Sequence, residues 1–477
     1  MRPHRKFIIL FFLLFFGKTF SQTPVERFLC PVYMKGASVS LMIKDMKTDK
    51  VIYSFDKDRE LIPASVLKTI TTATALEILG EQFRYESTVM YDGLIKDGLL
   101  DGNLYIRGSG DPTLGSSETG VDPHKVMRDW IKAVINADIR AVAGSVIADE
   151  SIFDTEGVSM KWMREDIGSY YGQGSYGINI FDNRYSLFLQ TFDAGSKPEI
   201  IRSEPEMPNI IYYNFLTTNR SNLDSLTIVG FPFSNERFLY GTVPSNRSAY
   251  RVRAEIPEPS LFLSQYFTKL LTEESIKVTG PPTCYRILDR QVRERKFLTS
   301  SYSSPIKDLV VITNHRSHNL YADALLKTIG LNYRTDENLS SMEKGVRMVK
   351  KHWEEKGLDV SSLWMFDGCG LAATDKVTAS FICDLLTYMY TQSPSSKSFI
   401  QSLPRVGIEG TVSDMFRGSA LEGKLRLKSG SMSRVRSYAG YVENDDGQYA
   451  VAIIVNNFSC TQTQIRLDIE RLLLALF

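Results

Sequence analysis

Apolar and polar positions alternate along Ala37–Ile43, break at the polar turn Lys47–Lys50 and resume over Val51–Phe55, the pattern of a β-hairpin. The next segment switches to helical spacing. Pro63 suits a first turn, and Val66, Leu67, Ile70, Ala73, Leu76, Glu77 and Leu79 lead to a stop at Gly80. Apolar residues cover most of that helix, so it is expected to be buried. From about Phe83 the pattern shortens to strand-like pieces punctuated by Asp92-Gly93, Asp97-Gly98 and Asp101-Gly102. The stretch 195–257 holds β-branched and aromatic runs such as Ile210–Phe215 between prolines, and predicts a small β-rich module. Helical spacing returns at Ser260 with Leu261, Leu263, Phe267, Leu270 and Leu271, and Gly280-Pro281-Pro282 marks a boundary. The last 180 residues alternate helices (near 317–329, 341–356 and 377–391) with strands at Lys424–Lys428, Tyr438–Glu443 and Tyr449–Asn456. An amphipathic helix through Ile465, Ile469, Leu472 and Leu476 closes the chain.

Ahead of the hairpin, Arg2, His4, Arg5 and Lys6 precede an unbroken apolar run, Phe7–Phe16, and then the small residues Thr19 and Ser21. That is the layout of a secretory signal cut after Ser21; the apolar run is about half of what a bilayer-spanning helix needs. The mature chain is expected to have no stable membrane span and to lie outside the cytoplasm, in the periplasm.

At 477 residues and roughly 150 per domain, the chain has room for about three domains. An apolar content of 43% excludes a disordered chain. The 56 basic and 55 acidic residues leave a net charge of +1, so no basic field exists to attract nucleic acid or anionic lipid. Cys30, Cys284, Cys369, Cys383 and Cys460 form no CxxC; their odd number leaves at least one thiol free or paired with something else while allowing one or two disulfides in an oxidising compartment. There is no HExxH, and His315 and His318 are expected as polar surface residues, so neither a metal nor another cofactor is implied. Gly108–Leu114 has Thr113 where a GxGxxG needs its third glycine, so it is expected to be a structural turn rather than a phosphate cradle.

The candidate nucleophile is Ser65, in Ser65-Val66-Leu67-Lys68 at the start of the buried helix. Spacing of i,i+3 sets hydroxyl and amine one turn apart on one face. A lysine amine kept neutral by burial can take the serine proton, and the helix N-terminus favours the developing alkoxide. SxxK also occurs at Ser54, Ser304 and Ser341. Ser54 lies in the hairpin and Ser304 has proline inside its motif; Ser65 alone opens an apolar helix after a hairpin. Two further elements follow in order: Ser317-His318-Asn319 heads a predicted helix, and Lys428-Ser429-Gly430 ends a predicted strand.

The ordered set SxxK, SxN and KSG resembles that of penicillin-binding proteins and class A β-lactamases. Ser65 and Ser317 are 252 residues apart, far more than a compact β-lactamase leaves, so about two hundred residues are inserted between them. On that spacing the chain resembles the class C low-molecular-mass penicillin-binding proteins, the D-alanyl-D-alanine carboxypeptidase/endopeptidase family. Further segments that look like that family's are Gly110–Leu114, Asp149–Phe153, Tyr170-Tyr171, Asn314 with Ser317–Ala322, Asp367–Leu371, Leu403–Thr411, Lys428–Ser433 and Ala439–Val442.

The resemblance implies an α/β (α+β) serine DD-peptidase domain, here 24–83 and 290–477. It is split by an inserted domain, 84–194 and 258–289, that carries the β-rich insertion 195–257. It also implies roles. Ser65 attacks the carbonyl between two D-alanines and Lys68 takes its proton. Ser317 relays a proton to the leaving amine, and Asn319 holds the substrate amide and orients Lys68. Lys428 and Ser429 of Lys428-Ser429-Gly430 face the substrate carboxylate, and the N–H groups of Ser65 and Ser431 form the oxyanion hole. Peptidoglycan peptides and β-lactam antibiotics are the implied partners. Ser429 stands where the family more often has threonine, which keeps the hydroxyl. After Asp367-Gly368 the family usually continues Ser-Gly-Leu-Ser-Arg, whereas here Ala373 replaces the arginine that would meet a charged substrate side chain. Asp149 is the remaining candidate for the substrate's free amine, with a turn residue as the alternative. The rival functions are an idle peptidoglycan- or β-lactam-binding protein and a β-lactamase.

Overall fold

The computed structural model describes residues 22–288, 293–334, 336, 338–445 and 447–477; the expected signal segment, 1–21, lies outside them. The hairpin forms as β1 (Ser38–Asp45) and β2 (Val51–Phe55), with Leu41 opposite Phe55. Ala64–Leu67 then make one tight 3-10 turn that runs into α1 (Lys68–Leu79), and the chain leaves α1 at Gly80 with φ 81°. Every residue from Lys68 to Leu76 is buried. Threonines are tolerated there because each hydroxyl finds a carbonyl: Thr72 and Thr74 bond four residues back to Lys68 and Ile70, and Thr71 reaches Gly368.

Between Val89 and Cys284 the chain builds a core of its own from Val89, Leu104, Trp130, Val146, Leu187, Leu239, Val252 and Phe267. The helices Lys125–Asn136 and Pro259–Glu273 meet in it, Trp130 packing edge-on against Phe267. A strand β3 (Arg184–Thr191) pairs on one side with β4 (Glu199–Glu204) and on the other with β5 (Arg247–Glu255). The stretch 195–257 therefore shares a sheet and a core with its flanks. Likewise Lys296–Tyr302, beyond residue 290, pairs with Glu86–Tyr91. Ladder hydrogen bonds run across the changes of composition that set the expected boundaries.

The chain returns through α2 (Ile306–Arg316), which the apolar pattern did not predict, and α3 (Asn319–Gly330), buried along its whole length. β6 (Leu425–Met432), β7 (Val435–Asn444) and β8 (Gly447–Asn456) follow, then α4 (Gln462–Leu476). The five strands form one antiparallel sheet in the order β2-β1-β8-β7-β6, with Asn456 opposite both Ser38 and Val435. Along β8, Ala450, Ala452 and Ile454 face a core shared with α1, α2 and α3. Val451, Ile453 and Val455 face a second core with Val25, Phe28 and residues of α4. Burial on both faces explains the uninterrupted apolar run of β8. The first core gathers residues from Met42–Tyr85 and from Ile306–Ile454, so the two ends of the chain close on each other. Among the described residues no helix is long and apolar enough to cross a membrane, and all five cysteines are unpaired.

Candidate active site

The site lies where α1, the start of α3 and the edge strand β6 converge. Ser65 sits in the 3-10 turn, and Lys68, one turn on, donates from Nζ to Ser65 Oγ at 2.9 Å. The same Nζ donates to Asn319 Oδ1 at 2.7 Å and to the Cys369 carbonyl at 2.6 Å. Lys68 is fully buried, and burial pushes its pKa down against the pull of Asp323, Asp367 and Asp375 behind it. With two carbonyl acceptors already in place, a neutral amine keeps a lone pair for the Ser65 proton.

Ser317 ends α2 in the left-handed conformation, φ 54°, a kink that separates α2 from α3 and turns the hydroxyl toward β6. Lys428 Nζ donates to Ser317 Oγ at 2.9 Å and to the Ser429 carbonyl at 2.6 Å. Burial first, then the charges of Lys68 and Arg436, holds Lys428 well below its usual pKa. Ser429 Oγ shares a 2.7 Å hydrogen bond with Thr411 Oγ1. Gly430 is required by space: a Cβ there would lie 2.6 Å from the Pro63 carbonyl and 3.0 Å from the Ser65 amide.

β6 is the outermost strand of its sheet. Leu425 and Leu427 use their outward groups on Val406 N and Pro404 O. By the alternation of an antiparallel strand, the Ser429 and Ser431 main-chain groups face the same outer edge, where Ser431 is exposed. Beside them, Gly430 brings β6 against Pro63 and Ser65.

The floor is a loop wound around one carboxylate. Asp367 accepts from the amides of Cys369, Gly370, Leu371 and Ala372 and from Trp162 Nε1. Asp323, Asp367 and Cys369 bring possible metal-ligand atoms within 4.8 Å of one another. With five donors on it, Asp367 is a hydrogen-bond hub with no lone pairs to spare for an ion. Burial raises Asp323 to about 7.

Ser65, Lys68, Ser317, Asn319, Lys428, Ser429, Gly430 and Ser431 therefore come together. Asp149 does not join them. It is buried in the inserted region, with one oxygen on Ser151 and the other 2.7 Å from Arg295. His318 departs from the expected surface position: it is buried, tilted against Tyr321, with Asp182 at 3.5 Å. Asp182 of the inserted region meets it, a contact that residues so far apart in sequence do not announce. Sequence reasoning also missed the Cys369 carbonyl and the Tyr171 carbonyl, which accepts from Asn319 Nδ2 at 2.8 Å. A backbone acceptor has no residue signature, although Asp367 followed by small residues is a turn signal that pointed at the loop.

Comparison with known proteins finds relatives along most of the chain. A D-alanyl-D-alanine carboxypeptidase of Actinomadura sp. is 25% identical over 444 residues, 89% of this chain and 79% of the relative. The carboxypeptidase DacB of Haemophilus influenzae is 21% identical over 434 residues, 89% of this chain and 86% of the relative. The crystal structure of H. influenzae penicillin-binding protein 4 superposes with a TM-score of 0.79 at 21% identity, covering 92% of this chain and 96% of that one. The model of the D-Ala-D-Ala carboxypeptidase 3 (S13) family matches residues 24–474, and the chain belongs to that family.

Proposed function

We propose that this serine D-Ala-D-Ala carboxypeptidase is exported and trims peptidoglycan stem peptides through an acyl-enzyme on Ser65, which β-lactams also acylate. The observation that carries the assignment is the 2.9 Å contact between Lys68 Nζ and Ser65 Oγ, made by a fully buried amine whose charged form is disfavoured. Ser65 Oγ attacks the carbonyl between the two D-alanines as its proton passes to Lys68. The amides of Ser65 and Ser431 hold the oxyanion. Ser317, bonded to Lys428, relays to the departing D-alanine amine the proton that Lys68 took from Ser65, which leaves Lys68 neutral again; water then adds to the acyl carbonyl, giving a proton to Lys68, and Ser65 takes that proton back as the acyl group leaves. The terminal carboxylate of the substrate meets Ser429 and Lys428. Its charge favours the protonated form of Lys428, and that cation in turn favours the neutral form of Lys68. A catalytic unit formed from the two chain ends is supported by the core that joins Met42–Tyr85 to Ile306–Ile454, while Lys296–Tyr302 pairs with the inserted region.

Incubation with a β-lactam followed by intact-mass measurement tests the assignment. The expected result is one adduct on the unsubstituted protein and none on Ser65→Ala. An adduct that survives the substitution sinks the assignment of Ser65. Release of D-alanine from a pentapeptide, set against cleavage of cross-linked dimers, separates carboxypeptidase from endopeptidase activity.

A further inference from the structure

A cavity of about 900 Å³ opens in the inserted region, lined by Glu118, the segment around Phe181 and Asp182, β5 and the helix Pro259–Glu273. One wall carries Arg184, Arg251 and Arg253. In the register of β5 on β3, Arg184 stands opposite Glu255, Ser186 opposite Arg253 and Phe188 opposite Arg251, so the three arginine stems share one face of the sheet. Among the described residues, none of the three has a carboxylate within ion-pair distance. The acids on the rim are engaged elsewhere: Asp182 faces His318, Glu118 faces Arg316, Glu206 binds Lys269 and Glu204 binds Arg202.

What the arginines do hold is neutral. Arg184 Nε donates to the Tyr170 carbonyl at 2.8 Å, Arg251 Nε donates to Ser186 Oγ at 2.8 Å, and Arg253 lies 4.3 Å over the Tyr170 ring. Burial holds Arg184 below its ordinary pKa; Asp182 opposes this and Arg253 adds to it. The cavity also carries aromatic surface, with Phe181 edge-on to Tyr266 and Phe262 stacked on Tyr266. A single dipeptide connects it with the chemistry: Tyr170 offers its carbonyl to Arg184, and Tyr171 offers its own to Asn319.

We infer that this cleft is a second substrate subsite, which takes carboxylates of a peptidoglycan strand other than the peptide being cut. This rests on the reading that the enzyme works on peptidoglycan. Guanidinium forks match carboxylates in bidentate geometry, and a cavity of this volume with aromatic walls suits a polymer segment rather than a lone small anion. A phosphate shares the same chemistry, so the test separates the two sources.

The test uses Ser65→Ala protein, which binds without turnover, and compares it with the same protein carrying Arg251→Glu and Arg253→Glu. Two probes are titrated: a purified, phosphate-free cross-linked muropeptide dimer and a short acyl-D-Ala-D-Ala peptide. The expected result is about tenfold weaker dimer binding in the arginine variant, with a flatter salt dependence, and little change for the short peptide. Arg251→Lys with Arg253→Lys should recover part of the loss, and thermal unfolding checks the fold of every variant. Equal dimer affinity in both proteins overturns the inference, as does a matching loss for the short peptide, which would report a damaged catalytic cleft. Inorganic phosphate run as a third probe completes the separation: binding abolished by the substitutions while the dimer is unaffected assigns the arginines to phosphate and also overturns it. The penicillin adduct on the unsubstituted enzyme reports the catalytic reading independently of these arms.

Discussion

The seam around Ser65, where the charged groups are buried, and the cleft of the inserted region, where Arg251 and Arg253 are exposed, treat charge in opposite ways. At the seam three groups are held from within the protein: Lys68 has three acceptors, Asp367 has five donors and Lys428 has two acceptors. In the cleft Arg184, Arg251 and Arg253 keep only neutral partners. Chemistry needs one geometry held in advance, so its groups are tied to one another; recruitment needs charge left over for the ligand. Two buried lysines refine the contrast. Lys327 on α3 is as buried as Lys68, and burial pushes both pKa values down. Lys327 donates to the carbonyls of Glu156 and Ser175 in the inserted region, with no serine hydroxyl among those partners. The neighbour, not the burial, separates the two: Lys68 meets a serine hydroxyl, while Lys327 pins the two regions together.

The most severe way to break the contrast is Lys68→Met. Its volume suits the site; it orphans the Asn319 and Cys369 carbonyl oxygens at about 1–3 kcal/mol each, and in the protein that remains folded acylation by a fluorescent penicillin falls by roughly 10³-fold. Acylation at an unchanged rate would make the seam merely structural. Gly430→Ala comes next. The added methyl presses on the Pro63 carbonyl and the Ser65 amide, and a displacement of that kind should slow acylation about 10²-fold. Lys327→Met tests the pin. It orphans two carbonyls, at about 1–3 kcal/mol each by denaturant unfolding, while the protein that remains folded acylates at the unsubstituted rate. The finest test is Asp323→Asn. Above pH of about 7, where Asp323 ionises, its charge supports protonated Lys68. The reactive amine is the neutral form, populated above its own pKa, so losing that charge moves the acid limb of the acylation rate to lower pH, by less than about one unit. A limb that stays in place, or moves up, shows that the acid cluster does not tune Lys68.

Much of this site was legible because its reactive pairs are local or carried by short motifs. Ser65 and Lys68 are three residues apart on one helical turn, and Ser317 with Asn319 and Lys428 with Ser429 are each nearly adjacent. The strand β8 was visible through its apolar run, and the helix from Lys68 through its apolar surface. What escaped depended on contacts that no short window contains. Cys369 and Tyr171 act through carbonyls, which every residue possesses. His318 looks like a solvent-facing residue until Asp182 meets it. The helix Lys125–Asn136 does carry Met127, Trp130, Ile131 and Val134 at helical spacing, but the glycine-turn strands around it set the character of the whole segment. The β-rich stretch 195–257 read as separate because prolines frame it, while its sheet partner β3 lies outside the frame.

The pairing of β1 with β8 also governs when the enzyme can exist. Ser38 waits for Asn456, so the central sheet cannot close until the last strands have been made. The inserted region, with its core between Val89 and Cys284, can fold while β6, β7 and β8 are still to come. During that interval the chain already carries Ser65 and Lys68, but Asn319, Ser317 and Lys428 are missing or unplaced. Latency during synthesis is thus a property of chain order: Ser65 and Lys68 precede in the chain every other residue with which they must assemble.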